Sequence, residues 1–326
     1  MEGIASNRGR RGGVIGPLVK ARFQLRHFVV LLLIACALAA ASVYWLRARG
    51  PVHPSDLVGY LPTANASVVY IDVRALRRSG ILGMIAGSKA AEEPDYQQFV
   101  QATKFDYRQD LDAIAAAFKD GRVYFALHGR FHWSNLKDYA VEQGGSCHND
   151  FCVVQGSQPS RRISFYPLKS DVVAMAIGPD DFGAYQITDH SHTLAPAQPK
   201  EPVWAVVPAV ALQRMDILPA AAKSYVPALA GAEQIVFSID ADPAQQLQLG
   251  VHVTCKDATA ASALLTQLEA TTKTLRELLA HQRPKPDPSD LSGVLMAGTF
   301  RRDERQVYGV WPIPKAFLDA VAGSVN

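Results

Sequence analysis

With 326 residues, 48% of them hydrophobic and 19% charged, the chain has material for one large domain or two ordinary ones, and its composition is that of a globular protein. The formal charge of +3 is unevenly distributed. Residues 1–49 carry eight Lys/Arg against one Glu, so 25 of the 33 basic and 29 of the 30 acidic residues fall in the remainder, at −4. That balance excludes a basic nucleic-acid footprint on the folded part.

Residues 1–27 form a Gly- and Arg-rich tail too short to fold. Phe28–Leu46, FVVLLLIACALAAASVYWL, follows without a charge. As a helix it would extend about 28 Å, close to a hydrocarbon core of about 30 Å. Leu33-Ile34-Ala35-Cys36 has the form of a lipoprotein box and Ala39-Ala40-Ala41 that of a signal-peptidase site. Against the first, the sequence stays largely apolar after Cys36. Against the second, more than twenty residues precede the apolar run, and secretory signals usually start short. A retained transmembrane helix fits better, with Tyr44 and Trp45 at its interfacial end. Arg8, Arg10, Arg11, Lys20, Arg22 and Arg26 precede it and only Arg47 and Arg49 follow closely, which predicts a cytoplasmic N-terminus and residues 50–326 outside. The expected location is a bacterial inner membrane, single-pass, with the exterior periplasmic. The bilayer is then a partner through Phe28–Leu46, and Ala35/Ala39 with Ala37/Ala41 offer a small-residue face for self-association.

After a juxtamembrane linker, residues 47–59, the exterior reads as a duplication: a first repeat at 60–188, a linker at 189–202, a second repeat at 203–322 and a short tail at 323–326. VVYIDVRALRRSGIL aligns with WAVVPAVALQRMDIL at an offset of 136, and VVAMAIGPDDF with VYGVWPIPKAF at 135. Between them IAAAF aligns with IVFSI and VYFALH with QLQLGVH, bringing His128 onto His252. The common order of these weak matches is what carries the reading. Each half reads β-α-β-β-α-β-β-α. Asp120-Gly121 marks a type I′ hairpin turn between DAIAAAFK and RVYFALHG. A helix is predicted with Pro179 in its first turn. Asp257 is the expected N-cap of an amphipathic helix containing Ala261, Leu264, Leu265 and Leu268. The fold class is therefore α+β: an N-terminal transmembrane helix, then two repeated halves with mainly antiparallel sheet, packed as one sheet or as two lobes.

FDYRQDLDAI followed by Gly129-Arg130-Phe131 resembles a local pattern of uncharacterised bacterial single-span membrane proteins with a duplicated α+β extracytoplasmic region. The resemblance covers most of residues 55–322. It implies a location and a fold, and no reaction.

Candidate chemistry is sparse. Cys147 and Cys152, flanking four residues in a polar loop, would close a disulfide in an oxidising compartment; free thiols, metal ligation or redox activity are the alternatives, and the spacing is not that of a redox CxxC. Asp189, His190 and His192, or Cys147, His148, Asp150 and Cys152, supply ligand types for zinc or copper without a complete set at an established spacing, so no metal and no cofactor is expected. Cys255 reads as a buried small hydrophobe. His128 and His252 are the pocket candidates: two related imidazoles facing one cleft between the repeats, or two satisfied residues beside helices. No G-x-S-x-G, H-E-x-x-H, P-loop or strand-borne G-x-G-x-x-G occurs. The acidic pairs Asp110/Asp112 and Asp180/Asp181 lie at predicted turns and helix starts. The expected function is a non-enzymatic binding or interaction module of the cell envelope, taking an envelope protein or a second copy as partner and no nucleic acid. A hydrolase or small-molecule-binding protein with a site between the repeats is the alternative.

Overall fold

The computed structural model describes residues 53–86, 93–188, 199–212, 226–241, 246–282 and 289–324. The expected span Phe28–Leu46 and the Asp189, His190, His192 cluster lie outside them. Among the described residues no helix is long and apolar enough to cross a membrane.

The chain enters through α1 (Pro54–Val58), opened by Pro54 in the first turn, where a missing N–H is harmless. Strand β1 (Ser67–Ile71) ends at Asp72, whose carboxylate accepts from Ala75 N at 2.7 Å and caps α2 (Val73–Arg78). Helices α3 (Ile81–Ala86), α4 (Pro94–Thr103) and α5 (Tyr107–Asp110) lead to the hairpin of β2 (Leu111–Lys119) and β3 (Arg122–Gly129). Its turn has Asp120 at φ 50° and Gly121 at φ 73°, the two positive angles that the dipeptide predicts. Next come α6 (Trp133–Glu142), β4 (Ser146–His148), β5 (Phe151–Gln155), β6 (Arg162–Lys169) and β7 (Val172–Gly178).

The second half comprises β8 (Val203–Pro208), α7 (Ala209–Leu212), a 3-10 turn at Val226–Gly231, β9 (Ala232–Ala241), β10 (Leu247–Cys255), α8 (Ala258–Gln282), α9 (Leu291–Met296), β11 (Thr299–Asp303), β12 (Gln306–Ile313) and α10 (Lys315–Ser324). Asp257 caps α8, accepting from Ala260 N at 2.7 Å. Ala261 and Leu264 are buried on its inner face.

Two local expectations are corrected. Pro179 starts no α-helix. The Asp180 carboxylate accepts from Phe182 N at 3.1 Å and pairs with Arg122, which turns the chain into a 3-10 turn at Gly183–Gln186. The region around Cys147 and Cys152 is not a loop but the β4–β5 hairpin, turned at Asn149 with φ 53°.

Among the described residues all twelve strands join one antiparallel sheet in the order β11-β12-β10-β9-β8-β1-β2-β3-β7-β6-β5-β4. From the central β1–β8 pair the order runs β2, β3, β7, β6 one way and β9, β10, β12, β11 the other, with β5 and β4 extending the first side. The sheet is thus α+β and antiparallel, with no break into two lobes.

Alternation divides the apolar residues between its faces. One face carries Tyr70, Tyr124 and Trp204 over the small Ala113, Ala115 and Ala117, sealed by Leu57, Val58, Leu61 and Ile187. Tyr70 and Trp204 stack across the central pair with centroids 5.6 Å apart. On the opposite face Val207, Ile235, Val253 and Val307 pack under Ala261 and Leu264 of α8. A third cluster, Leu76, Ile81 and Leu247 with Leu318, joins α2, α3 and α10.

Candidate functional site

The face under α8 is not fully filled. A cavity of about 1380 Å³ lies between it and α7, α8 and α9. Its floor follows a lateral row of the sheet fixed by strand register: Val307, Val253, Ile235, Val207, Ser67, Phe118, Val123. At about 4.8 Å per strand spacing, six spacings make this row roughly 29 Å long. Val210 of α7, Leu268 of α8 and Val294 of α9 wall the second-half end. Trp311 lies against Gly298 and Gly309; a Cβ on Gly309 would come within 2.6 Å of its ring, so glycine there is what admits the indole. Phe118, Val210 and Leu291, at 46%, 47% and 42% exposure, stand at the rim. Among the described residues the titratable groups of the lining are Lys119, Asp120, Arg122 and Arg161, all from the first half. The cavity is therefore long, apolar for most of its length, and polar at one end.

His128 and His252 line no part of it. Both point to the opposite face, since each alternates with residues facing the cavity. Followed outward from the Val69–Ala205 pair, the registers align Ala116 with Phe237 and then Phe125 with Val251. His252 thus corresponds to Ala126, and His128 to Thr254, two residues away from the sequence alignment. Five strand spacings, about 24 Å, separate the strands that carry them. They share no pocket.

His128, 3% exposed, sits in an ionic knot. Its Nε2 lies 3.3 Å from Asp171, and its Nδ1, without a hydrogen-bond partner, 3.9 Å from Asp112. Asp112 accepts from Arg74 Nη2 at 2.6 Å, with Arg77 at 3.6 Å. Burial pushes the Asp112 carboxyl up, but the Arg74 hydrogen bond and charge, with His128 and Arg77, hold it below the usual carboxylate range. Arg77 also donates to the carbonyls of Arg108 and Leu111.

The FDYRQD and GRF segments meet here. Asp106 accepts from Tyr96 Oη at 2.8 Å and from Arg108 N at 2.9 Å. Arg130 pairs with Asp110 at 2.7 Å, and Phe105 stacks on Phe131 at 5.0 Å. Gly129 passes so close to the Asp110 carbonyl that a side chain there would clash. These residues clasp the start of β2 to the end of β3, so the local pattern has a structural explanation.

His252 stacks on Tyr308, centroids 4.5 Å apart, and the Arg301 guanidinium lies over the Tyr308 ring at 3.9 Å. Burial, with Arg301 adding, outweighs a Gln306 hydrogen bond and lowers the His252 pKa. Asp180 and Asp181 are each paired with an arginine, Arg122 at 2.9 Å and Arg162 at 3.3 Å. Cys147 and Cys152 form a disulfide across β4 and β5, and Cys255 is a buried free thiol beside α8. Among the described residues no group of three His, Cys, Asp or Glu side chains is placed to hold a metal ion.

The cavity escaped the sequence reading because its lining alternates like any buried strand face, and a wall left unpacked has no local signature.

No family model matches the chain, and neither does any curated protein. Three solved structures resemble it, crystal forms IV, III and I of TP0453. Each is 7% identical, with TM-scores of 0.42, 0.45 and 0.44, over 83%, 82% and 82% of this chain and 96%, 98% and 97% of theirs. So distant a likeness assigns neither activity nor ligand.

Proposed function

We propose that the chain is a membrane-anchored extracytoplasmic binding protein, built from two copies of one α+β unit, that takes a long apolar molecule into the cavity. The cavity carries the reading. Its volume exceeds the range of about 300–1,000 Å³ common for drug-sized ligands, and a row of aliphatic side chains roughly 29 Å long suits a chain-like occupant. Each buried methylene of such an occupant contributes about 0.8 kcal/mol. The anchor rests on Phe28–Leu46 and its flanking arginines, and the duplication on the matching strand succession either side of β1–β8. An anchored protein with such a cavity is placed to receive a hydrocarbon from, or present it to, the bilayer.

The test is linkage. With the full chain in nanodiscs of neutral lipid, oleyl alcohol at about a hundredfold excess over its Kd should stabilise the exterior by about 2.7 kcal/mol in thermal denaturation. Val251→Trp, which places an indole in the cavity, should abolish the shift. An equal shift in both proteins, or none in either, would contradict the reading.

A further inference from the structure

One end of the cavity is closed, and a single side chain does most of the closing. We infer that Trp311 is the cavity's specificity-determining residue, an end stop that sets how long an unbranched apolar tail can be and still be buried throughout; this rests on the cavity reading above. Register places β11 outside β12, with Arg302 opposite Val307 and Phe300 opposite Gly309. Both therefore stand on rows that floor the cavity, yet among the described residues no part of β11 lines it. Two contacts account for this. On the Val307 row Arg302 reaches to α8 and donates to the Ala258 carbonyl at 3.3 Å. On the Gly309 row the indole of Trp311 lies back over Gly309 and meets Phe300 edge-on, centroids 5.3 Å apart.

The indole is held in a fitted seat. Continuing the register past Thr299–Val310 sets Gly298 opposite Trp311, and a Cβ on Gly298 would strike the indole nitrogen. With glycine at 298 and at 309 the ring can lie flat against both backbones. Arg276 of α8 donates to the carbonyls of Met296 at 2.8 Å and Gly298 at 3.3 Å, which ties the end of α9 to the same corner. At the other end of the cavity Val123 and the half-exposed Phe118 form the rim. A tail entering there crosses the strands in turn until it meets the indole. Up to that length each added methylene is buried and raises affinity about fourfold. Beyond it the surplus stays in water at the rim and adds nothing. Without the indole the Phe300 position opens, which adds one strand spacing of about 4.8 Å, or roughly three or four carbons at about 1.5 Å per bond.

The experiment incubates the full chain, in nanodiscs of neutral lipid, with an equimolar mixture of straight-chain alcohols from decanol to hexacosanol and measures the bound set by gas chromatography. The set bound by Val251→Trp, whose cavity is filled, is subtracted. In the wild type the bound amount should rise with length and then level off. In Trp311→Ala the levelling point should move to tails roughly three or four carbons longer, and in Trp311→Phe it should move less in the same direction. Gly309→Ala, whose Cβ would lie 2.6 Å from the ring and lift it off the strand into the cavity, should move the point to shorter tails. The levelling point compares lengths within one sample, so it does not depend on how much of a variant is folded. The same levelling point in wild type and Trp311→Ala, or a shift to longer tails in Gly309→Ala, would overturn the inference and leave the cavity reading standing. Should Trp311→Ala fail to fold, an unmoved point in Trp311→Phe and Gly309→Ala overturns it equally. No excess over Val251→Trp at any length would remove the cavity reading itself.

Discussion

Asp112 shows how this molecule uses charge. It lies at an irregularity in β2, 19% exposed at its side chain, where it holds Arg74 and faces the buried His128. Because its folded-state pKa is depressed, the stability it contributes is complete above its unfolded pKa of about 3.9 and is lost as pH falls through the folded value. Arg74→Ala leaves a half-buried carboxylate with poorer partners. The variant should lose about 2 kcal/mol in urea unfolding at neutral pH. It should also show a shallower further loss than the wild type when the pH is taken below about 4. Equal stability of the two proteins at neutral pH would show that the pair contributes nothing. The histidines illustrate the limit of sequence reading at this scale. A shift of two residues preserves the alternation of a strand, so aligning His128 with His252 satisfied the pattern while the hydrogen-bonded register pairs each with another residue.

Elements whose signal is local were legible. Asp120-Gly121 specifies its turn through backbone angles, and α8 through period and cap. Elements decided by competition between distant groups were not. Asp180 caps its own turn while paired with Arg122, 58 residues away, and this overrides the helix-start signal of Pro179. The β4–β5 hairpin is polar, short and set by Asn149, so it read as loop; its disulfide links two residues already paired in register. Such a cross-link closes a small loop and should contribute roughly 2 kcal/mol on the chain-entropy estimate. The Cys147→Ser/Cys152→Ser variant is expected to unfold at a correspondingly lower urea midpoint, while the oxidised wild type treated with reductant should move to the same value. Coincident midpoints for oxidised wild type and variant would contradict this. The sheet edges are guarded against pairing with other chains: β4 is three residues long, and β11 presents Arg301, Arg302 and Asp303.

For the molecule as a whole, the order of elements was legible and the cavity was not. The succession strand, helix, strand, strand, helix, strand, strand, helix is followed among the described residues of the second half, whereas the first half adds β4 and β5 before β6 and β7 and ends in a 3-10 turn in place of the last helix. Whether the halves share a sheet depended on the β1–β8 pairing, which no local pattern encodes. The cavity depends on still more: α8 and α9 stand off from β10 and β12 far enough to leave Val251 and Trp311 without full cover. Leu249, Val251 and Val253 alternate in sequence as core residues would, and only the distance to the helices distinguishes a lining from a core. The account therefore turns on whether that space is occupied in the cell. The most direct measurement is mass spectrometry of the organic extract of the natively purified full chain, compared with that of Val251→Trp purified identically. The account predicts a long-chain apolar compound near one equivalent per wild-type chain and its loss from the variant. The same extract from both proteins, or a wild-type chain carrying nothing beyond what the variant carries, would contradict it.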